Sequence, residues 1–279
     1  NTLYNQLLDF VGNTDSIPSI LFNRIEEFYH SYQICGGLPL SARSMIDNSG
    51  LENVEKILEE NLMAYEIDFS KHSLHSDIPK IHAIWNSTPE QLSRENNKFV
   101  YRVVREGARA REYENALQWL VDAGMLYRVK LCEKPELPLS FYENNTAFKV
   151  YLLDIGLLRK LSKLPAEIFV SSTNLFTEFK GALAENFVLT SLLAQGFDIP
   201  NYWTLQGNKA EVDFLIANKL AVIPIEVKSD KRISGKSFAE YDKKYYPSLR
   251  IRLSMNNIKK DGNLLNLPIF MADWIKEYL

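Results

Sequence analysis

Two short spacings in this chain place residue types that could act on a phosphodiester. Segment 210–229, AEVDFLIANKLAVIPIEVKS, sets Glu211 two positions before Asp213 and Glu226 two positions before Lys228. Side chains alternate faces along a β-strand, so each pair is predicted to share one face. Val212, Phe214 and Ile216, with Ile223, Ile225 and Val227, take the opposite faces as core. A tight turn at Asn218-Lys219 would fold the two runs into a hairpin and bring Asp213 beside Glu226. Two adjacent carboxylates suit Mg²⁺, which takes oxygen ligands and keeps several waters. The ion would polarise a phosphoryl oxygen and make bound water a better nucleophile. Lys228 would stabilise the growing charge or position the attacking water. Glu185, on a preceding helical stretch, is a third candidate ligand. The plainer reading is a salt-bridged surface hairpin. Pro224 cannot donate to a ladder, so it predicts a strand start, an edge or a bulge.

The charge layout asks what such a site would meet. The 279 residues carry a net charge of −3, with 46% hydrophobic and 24% charged residues. This is the composition of an ordinary globular protein and argues against long disorder. The charge is unevenly spread. Residues 1–70 hold 3 basic and 11 acidic side chains, whereas the window 228–260 holds 10 Lys/Arg against 3 Asp/Glu. That window begins at Lys228, where a nucleic-acid backbone would lie, and it includes Lys231, Arg232 and Lys236. A solvated basic face is the bland alternative. No apolar run approaches the roughly 18 residues of a membrane span, and no basic start followed by an apolar stretch marks a signal peptide. No membrane is expected, and a cytoplasmic setting fits. Cys35 and Cys132 are too few for a disulfide framework or zinc spacing. His72 and His75 sit three apart without cysteine partners and are read as ordinary surface or core residues.

The elements that must position these residues follow from periodicity. Residues 20–34 and 51–68 carry helical apolar spacing, separated by ICGGLPLSA, where Gly36, Gly37 and Pro39 stop the first helix. A plain turn is expected there, with a ligand loop as the alternative. Residues 75–85 predict a helix and 87–95 a second, capped by Ser87 or Thr88 with Pro89 in its first turn. A third runs to Gly124 with Tyr113, Ala116, Leu117, Leu120 and Val121 as its stripe. Strand-like runs follow at 125–133 and 147–158. Three helices and a strand pair make the pattern of a winged helix-turn-helix, whose third helix can enter a DNA groove. Arg105, Arg109 and Arg111 would suit phosphate contacts. Beyond residue 161 the order is helix, three strands, helix, strand. The class is mixed α/β.

The ordered strings GGLP (36–39), GARAREYENALQWLVDAGML (107–126), FKVYLLDIGLL (148–158), GALAENFV (181–188), AEVDFLI (210–216) and PIEVKS (224–229) carry a resemblance. The chain resembles the C-terminal part of a bacterial and archaeal AAA-type ATPase family with a domain of unknown function related to PD-(D/E)XK nucleases. The resemblance spans nearly the whole chain. It implies a helical lid remnant over 1–70, a winged helix over 71–160 and a restriction-endonuclease-like mixed sheet flanked by helices over 161–279. It also implies Asp213, Glu226 and Glu185 at metal and Lys228 as catalytic partner, with DNA as substrate.

The family's P-loop core would precede residue 1. Gly235-Lys236-Ser237 imitates the end of a P-loop, but Asp230 stands where its first glycine belongs. ATP hydrolysis is therefore expected only through the absent N-terminal module, as is any ring-like oligomer. Three functions are compared: a Mg²⁺-dependent deoxyribonuclease, a non-cleaving DNA-binding or regulatory module of the ATPase, and a protein-interaction domain.

Overall fold

The structure, a computed structural model, describes residues 2–94, 98–170, 177–205, 210–231 and 235–279. In chain order the helices and strands are α1 Thr2–Leu8, α2 Ser19–Cys35, α3 Pro39–Ile46, α4 Leu51–His72, α5 Ile78–Ser93, α6 Tyr101–Val104, α7 Ala110–Asp122, β1 Leu126–Cys132 and β2 Glu143–Leu152. There follow α8 Ile155–Leu161, α9 Glu167–Val170, α10 Thr177–Ala194, β3 Asn201–Thr204, β4 Glu211–Asn218, β5 Ala221–Val227, α11 Lys236–Tyr245, β6 Arg250–Ser254, β7 Lys259–Asp261 and β8 Leu264–Pro268. The class is mixed α/β. The chain forms two compact units, one of residues 1–28, 129–148 and 187–279, the other of 29–128 and 149–186. Among the described residues no helix is long and apolar enough to cross a membrane.

The second unit is mostly helical. In α4 the buried residues Val54, Leu58, Leu62 and Phe69 repeat at helical spacing. The α7 stripe is Tyr113, Ala116, Leu117 and Leu120, with Glu112 in the first turn where the helix dipole favours an acid. Residues 75–95 depart from the expected pair of helices, because α5 runs unbroken through Pro89. Ser87 and Thr88 do not cap a new helix; their hydroxyls donate back to the Ile84 carbonyl at 2.9 and 3.0 Å. Burial of Ile81, Ile84, Trp85 and Leu92 along α5 outweighs the local cost of a ring that removes one helical hydrogen bond. The short α6 supplies a helix between α5 and α7. The 147–158 run is also divided: β2 ends at Leu152, and Asp154 caps α8 by accepting from Leu157 N at 2.9 Å.

The first unit is built on a sheet of order β2-β1-β3-β4-β5-β6-β8-β7. The pairs β3·β4, β4·β5 and β7·β8 are antiparallel, and β1·β3, β5·β6 and β6·β8 are parallel. The β4–β5 hairpin turns one residue later than expected. Asn218 pairs with Ala221, and Lys219, at φ 52°, begins the two-residue loop with Leu220. Between Asn201 and Trp203 the β3·β4 register slips, from Asn201↔Leu215 to Trp203↔Val212. Three steps on β4 thus match two on β3. This bulge breaks strict alternation, so Val212 and Leu215 both join the core cluster with Trp203, Phe238 and Tyr241. Pro224 sits opposite Leu215 and just before Ile225, the first residue of β5 registered on β6. Its missing N–H therefore removes nothing from the recorded β5·β6 register.

Candidate functional site

The β4·β5 register pairs Phe214 with Ile225, which sets Asp213 beside the Glu226 end of β5. Asp213 is 7% exposed and Glu226 1% exposed. The Asp213 carboxylate Oδ2 accepts from the backbone N of Val227 at 2.7 Å, tying the side chain to the neighbouring strand. Glu226 and Lys228 share a face, as period-two spacing requires, with Lys228 Nζ 3.3 Å from Glu226 Oε1. The hairpin therefore gathers Asp213, Glu226 and Lys228.

The tertiary structure adds a residue that the hairpin does not contain. Glu226 registers with Arg252 on the parallel strand β6. Arg252 Nε donates to Glu226 Oε2 at 2.7 Å, and its side chain is 13% exposed. The row continues, since Asn266 of β8 registers with Arg252 and with Lys259 of β7. Two cations thus face one buried carboxylate. A buried charge is tolerated when it is paired and hydrogen-bonded, and Glu226 meets that condition through Oε2. Oε1 has the Lys228 ion pair but no hydrogen bond among the described residues.

This arrangement does not fit Mg²⁺ as it stands. A cation entering beside Glu226 must displace Arg252 from Oε2 or approach Lys228 at Oε1. Among the described residues no three His, Cys, Asp or Glu side chains form a group that could hold a metal ion. Glu185 belongs to the other unit. There its Oε2 accepts from the Tyr151 hydroxyl at 2.7 Å and lies 3.5 Å from Nζ of the fully buried Lys149.

The basic residues divide into two groups. Arg105 follows α6, Arg109 is the N-cap of α7 and Arg111 lies in its first turn. All three are exposed, and none makes an ion pair among the described residues. In the window 228–260, Lys231 pairs with Glu26 at 3.2 Å, while Lys236 is exposed at the start of α11. Arg232 lies outside the described residues. Arg250 lies 3.3 Å from Asp242, and Lys243 bonds Glu240 at 3.0 Å, so part of the window's charge is met internally.

The Gly36-Gly37 loop is filled by a side chain of its own unit. Asp154 Oδ2 accepts from Gly37 N at 2.7 Å, and a Cβ at Gly36 would lie only 2.2 Å from Asp154 Oδ1. Gly36 has φ +66°, a further reason for glycine there. Burial raises the Asp154 pKa above the ordinary aspartate value, outweighing the backbone donors that pull it down. Sequence patterns alone did not reveal Asp154 as a clasp or Arg252 as the partner of Glu226. A signal for Arg252 was present: Arg250 and Arg252 alternate with Ile251 and Leu253, which puts both arginines on one strand face.

The comparisons with known proteins bear on both halves of the chain. No curated protein and no solved structure matches it. Residues 180–270 match the family model described as Domain of unknown function (DUF4143), a domain found at the C-terminal side of AAA-ATPase-associated proteins. Residues 26–168, more than half of the 279, match a second model, and over that span the chain belongs to the family described as Domain of unknown function (DUF8612).

Proposed function

We propose that this chain is a DNA-contacting regulatory module from the C-terminal side of an AAA-type ATPase, with a nuclease-like hairpin that does not cut. The observation that carries the reading is the buried Arg252–Glu226 pair at 2.7 Å, which occupies the carboxylate a phosphodiesterase would give to its metal. The DUF4143 match at 180–270 supports the ATPase setting. The exposed Arg105, Arg109 and Arg111 around the start of α7 support contact with a phosphate backbone.

The second reading is a Mg²⁺-dependent deoxyribonuclease using Asp213, Glu226 and Lys228. The placement of Asp213 beside Glu226 favours it, together with the Glu226 Oε1 atom that lacks a hydrogen bond among the described residues. One experiment separates the two. The protein is mixed with plasmid, nicked and branched DNA, with and without Mg²⁺ or Mn²⁺, at low and high salt. Salt-sensitive binding without cleavage is expected. Metal-dependent cleavage that disappears in Glu226→Ala and Lys228→Ala would overturn the non-cutting reading. No binding at low salt would remove both.

A further inference from the structure

A cavity of about 470 Å³ is lined by Arg252, Lys259, Asp261, Asn256, Asn257 and Ser16, among others. Arg252 therefore belongs both to the Glu226 pair and to this cavity. A guanidinium carries five N–H donors in a planar fork. The Arg252 Nε donor goes to Glu226, and the guanidinium carbon sits 5.7 Å from the centre of the Phe238 ring. Among the described residues its terminal amino groups meet no acceptor, although the side chain is only 13% exposed. The arginine is thus held at one end and left with unused donors at the other.

The cavity wall is fastened independently of any ligand. Asn257 accepts from Ile17 N at 2.9 Å and donates to Ile17 O at 2.7 Å. Asn266 donates to Asn257 O at 2.9 Å and accepts from the Ser254 hydroxyl at 2.9 Å. These amides are spent on the loop 255–258, so the charged groups remain to recognise a ligand. Lys259 is exposed on β7 and makes no ion pair among the described residues. Among the residues that line the cavity, the two cations Arg252 and Lys259 outnumber the one carboxylate, Asp261.

We propose that this cavity is a binding site for a phosphate monoester, with the free fork of Arg252 and the ammonium of Lys259 taking the phosphate oxygens. A guanidinium fork matches phosphate oxygens bidentately, and a lysine adds a point charge. Small-molecule sites run from roughly 300 to 1,000 Å³, so the space admits a phosphate together with part of the group it is attached to. The site does not rest on DNA contact through α7, and either can fail without the other.

Calorimetric titration at constant ionic strength tests it, with inorganic phosphate, adenosine monophosphate, and one oligonucleotide in 5′-phosphorylated and 5′-hydroxyl forms. Saturable binding of the phosphate monoesters is expected. Removing a charge-assisted hydrogen bond should weaken that binding about tenfold or more in Lys259→Met and in Arg252→Lys. Lys259→Met leaves the Glu226 pair intact, so it remains informative if the Arg252 variant folds poorly. Tighter binding of the 5′-phosphorylated oligonucleotide than of its 5′-hydroxyl form would make the source a nucleic-acid end. Binding of the small phosphates without that difference would make it a free metabolite. No saturable binding of any phosphate monoester, or binding unchanged in Lys259→Met, overturns the site.

Discussion

Arg252 on β6 registers with Glu226 on β5 and donates to its carboxylate at 2.7 Å, with both side chains largely removed from water. The pair decides the electrostatics of the hairpin, because Oε2 of Glu226 is taken by Arg252 and Oε1 faces the Lys228 ammonium. Removing one partner of a buried pair leaves the other uncompensated, at a cost of about 3–5 kcal/mol. Arg252→Met should fall at the low end of that range, since Lys228 still reaches Glu226. Urea denaturation should show this loss, and Glu226→Gln combined with Arg252→Met should recover part of it. A single Arg252→Met as stable as the parent would show that the pair contributes nothing.

The arginines around α7 give a second expectation. If they meet phosphates, removing each such side chain should reduce the slope of log K against log salt by about 0.9 for duplex DNA. Combining Arg105→Ala, Arg109→Ala and Arg111→Ala should therefore flatten the salt dependence measured by fluorescence anisotropy. Their exposure predicts little change in thermal stability. An unaltered slope would place the DNA elsewhere.

Asp154 is expected to respond to both mutation and pH. Its carboxylate serves Leu157 N and Gly37 N. Asp154→Ala should cost about 1–2 kcal/mol through removal of the helix cap alone. Its folded-state pKa is raised, chiefly by burial. A carboxyl with a raised folded pKa holds its proton more tightly when folded than when unfolded. Its contribution is greatest below the unfolded value of about 4 and declines as pH rises through the raised value. Asp154→Asn should flatten that stretch of the stability–pH curve, and an unchanged curve would contradict the assignment.

The cysteines make a simple solvent-access test. Cys35 and Cys132 are both buried, and burial pushes each thiol up to about 11. Since the thiolate is the reactive form, alkylation at pH 8 should be slow in the native protein and rapid for both thiols in denaturant. Mass spectrometry counts the adducts. Fast native labelling of either residue would mean that its surroundings open readily.

Much of the architecture was legible because it depends on local patterns. Helical spacing in 20–34, 51–68 and 108–124 corresponds to α2, α4 and α7, and alternation in 210–229 corresponds to β4 and β5. Glu226 and Lys228 meet because a strand repeats every two residues, a rule that needs no distant partner. Other features were set by interactions that no local window contains. The α5 helix continues through Pro89 because several apolar side chains along it are buried. The bulge opposite Asn201 and Trp203 alters the faces of β4 through a neighbouring strand.

The sequence by itself determined that Asp213, Glu226 and Lys228 would gather on one hairpin, since an antiparallel turn brings near residues together. Only the tertiary structure decided that Arg252 would join them. β5 and β6 are parallel and are separated in the chain by α11, so their register depends on how that connection packs. That register converts a pair of available carboxylates into a charge already held by arginine.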